Sequence, residues 1–323
     1  MNVEGLLAEF PKLRALVVGD VCLDRWCRYD PALAEPSKET TIPRIGVTAT
    51  ETTPGAGGTV ANNLAALGCG RVDVLGVIGE DGHGYELARA LAARGIGSDL
   101  LVRAAGVCTF TYTKVINCRT DEEDLPRVDF VNTQPLPVTI ERELVGRLME
   151  AAPQYDVVLV SDQAETDHGG VVTAAMRDGL SQLGGLVWVD SRMRAELFRR
   201  VIVKPNFEEA GAASRRALGS LDLPALRRHI EAPLLVVTRG SEGADVIDER
   251  GAVRVEGRRV EQPVDICGAG DSFSAGAALA LKAGGDPVAA ARFGNLVASI
   301  TIMKRGTGTA SPAEVLSALP ASN

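Results

Sequence analysis

Residues 15–20 read ALVVGD, and this run decides the fold. Four apolar residues end on glycine and aspartate, which gives the length and composition of a short buried strand. The same form recurs as VDVLGVIG (72–79), DVVLVSD (156–162), GLVWVD (185–190), RVIVKPN (200–206) and LLVVTRG (234–240). Between these runs, TVANNLAALG (59–68), GYELARALAARG (84–95), GGVVTAAMRDGLSQLG (169–184) and LPALRRHIE (223–231) carry helical periodicity. Continuously apolar strands alternating with helices predict an α/β fold whose mostly parallel sheet is covered on both faces. In open sheets of this kind, ligands bind beyond the carboxyl ends of the strands. Asp20, Asp24, Asp162, Asp190, Asn206 and Thr238 close or follow strand runs and so become candidates. Taken singly, each reads more readily as a helix cap or turn residue, and it is their joint placement on one edge that makes them site candidates.

Two regions break the rhythm. Residues 25–53, including TTIPRIGVTATETT (40–53), and residues 108–131, including CTFTYTKVIN (108–117), alternate polar with β-branched residues. They predict half-exposed strands of a small β appendage. After Ala269 the chain reads as mainly helical. The 323 residues carry a net charge of −8 with no long basic run, which argues against a nucleic-acid partner. The apolar run from Leu13 to Leu23 is broken by Gly19-Asp20 and is too short for a membrane span. The N-terminus has no basic segment followed by an apolar one, so no secretory signal is expected. Six scattered cysteines, without a C-x-x-C pair or clustered histidines, fit free thiols in a reducing cytoplasm better than a zinc site.

Chemistry concentrates in two glycine-rich turns. In DICGAGDSFSAG (265–276) a loop of small residues opens a hydrophobic helix. Unpaired N–H groups and the positive end of the helix dipole suit a phosphate there. Asp271, beside that phosphate, suits a general base that takes the proton of an attacking hydroxyl. The plainer alternative makes Asp271 a charge that offsets the dipole. PGAGGTVANNLAALG (54–68) is a second glycine cluster leading into a helix. No Walker pattern and no G-x-G-x-x-G after the first strand is present, so the phosphate loop is of another kind.

These motifs resemble the PfkB, or ribokinase-like, family of carbohydrate kinases over nearly the whole chain. DICGAGD carries the family signature of Asp, two variable residues and Gly-Ala-Gly-Asp. KPNFEE (204–209) resembles its Asn-x-x-Glu element, VTRGSEGA (237–244) its Thr-x-Gly-x-x-Gly strand, and GDVCLD (19–24) its substrate strand. Within the family, GDVCLDRW, PSKETTIPRIGV, PRVDF, VLVSDQAE and KRGTGTASP echo, in order, the heptose 7-phosphate kinase domain of ADP-heptose synthesis. The cytidylyltransferase-like domain often fused to that kinase is not in this sequence.

The resemblance implies one ribokinase-like kinase domain over 1–323, using ATP and Mg²⁺, with a β lid in segments 25–53 and 108–131. Asp271 becomes the base, and Gly268, Ala269 and Gly270 bind the transferring phosphate. Asp24, Gly55, Gly58, Thr59, Lys114 and Asp162 fall on the sugar side. Lys204, Asn206, Thr238, Gly240, Gly243, Asn295 and Arg194 fall on the nucleotide side, with Asn206 and Glu209 organising magnesium. The partner is a small sugar or sugar phosphate, and the lid offers a surface for a homodimer. Two departures bear on the substrate. Thr59 and Ala56 stand where the family has asparagine and glycine, and Glu165 and Thr166 stand where the heptose kinases have lysine and glycine. Another carbohydrate or nucleoside, or a silent sensor on the same fold, stays open as an alternative.

Overall fold

Valine-rich runs buried on both faces form strands because β-branched side chains fit a pleated, doubly covered surface. The computed structural model describes residues 2–164 and 168–319. Its strands, in chain order, are β1 (Arg14–Gly19), β2 (Val21–Tyr29), β3 (Val47–Ala56), β4 (Arg71–Leu75), β5 (Val77–Gly79), β6 (Val102–Ala104), β7 (Thr111–Asn117), β8 (Val128–Phe130), β9 (Val157–Asp162), β10 (Leu186–Ser191), β11 (Ile202–Val203), β12 (Leu235–Thr238), β13 (Ala244–Asp248) and β14 (Gly251–Val255). The helices are α1 (Val3–Glu9), α2 (Gly57–Ala66), α3 (Gly82–Ala92), α4 (Val138–Ala151), α5 (Ala174–Ser181), α6 (Phe207–Leu218), α7 (Leu223–His229), α8 (Ala269–Lys282), α9 (Pro287–Thr301) and α10 (Pro312–Ser317).

The main sheet has eight strands in the order β14-β13-β12-β11-β10-β9-β1-β4. All pairs from β4 to β12 are parallel, and β13 and β14 complete the edge antiparallel. Alternation along each strand sorts the core into two layers. Val17, Val74, Leu159 and Trp188 pack on one face with α2, α8 and α9. Leu16, Val18, Val158 and Val189 pack on the other with α4, α5, α6 and α7. Helices α8 and α9 approach closely because Gly276 and Gly294 face each other's helix. A methyl added at either would stand 2.9 Å from Val297 or Phe273.

A four-stranded sheet, in the order β3-β2-β7-β8, stands beyond the carboxyl end of β1. Its β2–β7 pair is parallel and the other two are antiparallel. Asp24 therefore lies inside β2 rather than in a loop following the first strand. Helix α3 backs this sheet, with Arg25 of β2 paired to Glu86. Much of 30–46 is irregular apart from a 3₁₀ turn at Pro31–Leu33, so the appendage holds less strand than its composition predicts. VDVLGVIG also splits at Gly76 into β4 and β5, and β5 leaves the main sheet to pair with β6.

Two junctions tie the sheets together. Gly19-Asp20 joins β1 to β2, and the buried Asp20 carboxylate accepts the backbone N–H groups of Gln163, Ala164 and Val171. At the outer end, Asp121 accepts from Arg28 of β2 at 2.9 Å and pairs with Arg305, in the segment after α9, at 2.5 Å.

Candidate active site

A cavity of about 1150 Å³ lies between the carboxyl ends of the main strands and the inner face of the smaller sheet. On its core side, the turn before α8 sets the geometry. Gly268 caps α8 at φ +77°, a left-handed conformation that favours glycine. Asp271 follows in the first turn and faces the cavity. Burial lifts its carboxyl, and Asp190 adds to this. Lys204 and Arg192 pull the other way, leaving it at about 7. Lys204 Nζ pairs with Asp190 at 2.7 Å. Burial draws the Lys204 ammonium down, but the Asp190 carboxylate more than restores it, so the charge is held. A methyl on Gly270 would stand 3.4 Å from that ammonium. The glycine thus keeps the helix N-terminus open directly over a buried cation, as an anion requires.

Across the cavity, Asp24 projects from β2. Burial lifts its carboxyl to about 6 against the pull of Lys114 and Arg127. Gly55 near the end of β3 and Gly58 in the first turn of α2 do not line the cavity but allow close packing behind it. A methyl at Gly55 would meet the Asp24 carboxylate at 2.5 Å, and one at Gly58 would meet Pro54 at the same distance. Thr59 is buried, lines the cavity and lies against Gly268, so it joins the two glycine turns. Asn62 lines the cavity one turn on, whereas Asn63 is buried and donates to the Thr59 carbonyl. Ala56 adopts φ +51°, ψ −119°, a region that L residues avoid.

The nucleotide-side candidates gather at the ends of β11 and β12. Asn206 caps α6 in a reciprocal capping box with Glu209, and it bridges to Thr238. Burial raises the Glu209 carboxyl. Gly240 and Gly243 both take positive φ in the turn into β13, and Asn295 of α9 donates to the Glu256 carbonyl at 3.3 Å. The sequence reading gives Asp162 to the sugar and Arg194 to the nucleotide, but the structure joins them to each other. Asp162 is fully buried and accepts from Arg194 Nη2 at 2.7 Å and from Ser191 Oγ at 2.6 Å. Neither lines the cavity. Glu165 and Thr166 lie outside the described residues.

Sequence reasoning passed over the far wall. Tyr112, Arg127 and Asp129 line the cavity from β7, from just before β8 and from β8. The period-2 face Tyr112, Lys114, Ile116 signals Tyr112, while Arg127 and Asp129 fall in the run PRVDF. Among the described residues no group of three or more His, Cys, Asp or Glu could hold a metal ion. The donors at hand are hard oxygens. Glu209 Oε2 and Asn206 Oδ1 are engaged in the capping box. That fits Mg²⁺ held largely through water and nucleotide phosphates.

Fold, anion loop and cavity together define a carbohydrate kinase, and the chain belongs to the pfkB family of carbohydrate kinases, which it matches over residues 13–314. It is similar to the bifunctional protein HldE of Trichlorobacter lovleyi, at 33% identity over 327 residues covering 98% of this chain and 65% of that protein. The HldE of Geobacter metallireducens is 32% identical over the same shares. The chain thus spans 65% of the length of these relatives. Among solved structures, the ribokinase of Thermotoga maritima superposes with a TM-score of 0.71 at 20% identity, covering 95% of this chain and 99% of that one. Phosphofructokinase-2 from Escherichia coli, in complex with potassium, gives 0.72 at 21% identity, covering 94% and 97%. The fold is ribokinase-like. No helix among the described residues is long and apolar enough to cross a membrane.

Proposed function

We propose that the chain transfers the terminal phosphoryl group of ATP to a hydroxyl of a sugar phosphate, with heptose 7-phosphate as the lead substrate. One observation carries the reading. Asp271 stands half-buried in the first turn of α8, beside the Gly268–Gly270 turn, and faces the cavity with its carboxyl raised to about 7. A carboxylate near neutrality is well matched to take a proton at working pH. Likeness to the HldE heptose kinase domain over 98% of the chain favours heptose among sugars.

In this reading Asp24 and the 55–59 loop orient the sugar so that one hydroxyl points at Asp271. The Gly268, Ala269 and Gly270 segment receives the transferring phosphate at the start of α8, with Lys204 beneath it. Thr238, Gly240 and Gly243 border the nucleotide, and Asn295 lies near the base. Mg²⁺, organised through Asn206, Glu209 and water, would neutralise charge on the ATP phosphates. The smaller sheet covers the cavity as a lid and excludes water. The exposed Val47, Val128 and Phe130 of this sheet, with Ile42 and Ile45 in the irregular segment before β3, suit contact with a second copy. The whole chain acts as one kinase unit, and its six unpaired cysteines suit a reducing cytoplasm.

The test is ATP turnover against heptose 7-phosphate, hexose phosphates, free sugars and nucleosides. Turnover with heptose 7-phosphate at a kcat/KM above all others supports the reading. A higher value for any other acceptor removes heptose, and no turnover on any acceptor removes catalysis.

A further inference from the structure

The smaller sheet turns a definite set of side chains inward. Strand side chains alternate between faces. Asp24, Trp26 and Arg28 on β2 and Tyr112, Lys114 and Ile116 on β7 share one face, and all six line the cavity. Register ranks them by depth, because Asp24 stands opposite Tyr112 and Trp26 opposite Lys114. On the other side of β7 the antiparallel partners are Tyr112 with Asp129 and Thr113 with Val128. Arg127 precedes β8, where the ladder ends, and its guanidinium turns back over the Tyr112 ring and onto Asp129. Lys114 stands two residues outward of Asp24 along the sheet, and both cations line the cavity. That step is roughly 7 Å, about the span of a sugar ring with a short carbon tail.

The two cations keep donors to spare. Arg127 lies over the Tyr112 ring at 4.9 Å and donates to Asp129 at 2.7 Å through one of its five N–H groups. Lys114 is 3.7 Å from Glu123, an ion pair too long for a hydrogen bond. A phosphate can displace the loose Lys114–Glu123 contact and take further bonds from the unused N–H groups of Arg127, which keeps its bond to Asp129. Both cations also act on the Asp24 carboxyl, which independently sets them close to the sugar side.

Building on the sugar-phosphate reading above, we propose that Lys114 and Arg127 form an anion subsite for the phosphate the sugar already carries, at the end of the substrate remote from Asp271. Charge then selects for phosphorylated acceptors, and the smaller sheet supplies the selection.

Steady-state kinetics at saturating ATP tests this on the full chain. It compares kcat/KM for heptose 7-phosphate with the unphosphorylated heptose, and for hexose 6-phosphates with their hexoses. The subsite requires that Arg127→Gln and Lys114→Gln each lower the ratio of phosphorylated to unphosphorylated acceptor by roughly 10- to 100-fold, chiefly through KM. Arg127→Lys should recover part of the ratio. If wild type uses a sugar phosphate and neither variant changes the ratio, the subsite is overturned while the sugar-phosphate reading survives. If a hexose 6-phosphate proves the better substrate and the variants lose the ratio, heptose falls and the subsite stands. Turnover of unphosphorylated acceptors alone overturns both.

Discussion

At the scale of single residues, Asp271 and Ala56 make opposite demands on the chain. Asp271→Asn keeps the shape of the side chain but cannot accept a proton, so kcat should fall by about two to four orders of magnitude while ATP still binds. In wild type, kcat/KM should rise with pH through about 7 and then level, because the carboxyl must be ionised to act. A near-normal kcat in the variant, or a rate indifferent to pH between 5.5 and 8, would remove Asp271 from this role. Ala56 carries backbone strain without any such task. Its φ of +51° and ψ of −119° suit glycine, the residue the family resemblance expects there. Ala56→Gly should stabilise the protein by about 1 kcal/mol in urea unfolding, after the extra flexibility of the unfolded glycine chain is deducted. Equal or lower stability would mean that surrounding contacts have relaxed the strain.

Among the elements, the turn between β12 and β13 separates two glycines that look alike in sequence. Gly243 has φ +95°, and a methyl there would stand 2.1 Å from the Val255 carbonyl oxygen and 2.4 Å from the Gly257 nitrogen. Gly240 has φ +56° with nothing within 4 Å of the same methyl. Gly243→Ala should therefore push β14 away and raise the KM for ATP by at least about tenfold, against a few-fold at most for Gly240→Ala. Equal effects would show that open space, not strand proximity, governs this turn. Such distinctions are invisible in sequence because they depend on contacts from chain far away. The same limit hid the Asp162–Arg194 pair, which forms between the ends of two neighbouring strands. The strand ends at Asp20, Asp190, Asn206 and Thr238 were legible, since doubly buried strands announce themselves by unbroken apolar runs. Helix α4 was not. Its buried residues are Leu144, Leu148 and Ala151, set among charges, and its N-cap Pro137 offers no side-chain cap. Arg127 was legible as part of PRVDF but not as a site residue, because β8 spans just three residues, too few to display alternation.

For the molecule as a whole, buried and half-buried carboxyls trade stability for chemistry. Asp20 and Asp24 are held at about 6 and Asp271 at about 7, all by burial above the ordinary 3.8. The unfolded chain releases these protons near pH 4, whereas the folded protein keeps them. Stability is therefore greatest at low pH within this window and is lost as pH rises toward 7. For Asp271 the loss is on the order of 4 kcal/mol. Thermal melts should give a lower Tm at pH 8 than at pH 5.5, and Asp271→Asn should melt a few degrees above wild type at pH 8. A variant that melts lower at pH 8 would show that the charged carboxylate is a net stabiliser there. The Asp20 carboxylate has a mechanical side as well. Its three backbone hydrogen bonds fix the start of β2 to the main sheet, and β2 then runs nine residues, roughly 30 Å, outward. The strand is a lever with its fulcrum at Asp20 and a catch near its tip, where Asp121 holds Arg305. A swing of about 10° on a 30 Å arm moves the tip by about 5 Å. A rotation about that fulcrum would be felt most where Asp121 meets Arg305 and least at the seat of Asp271.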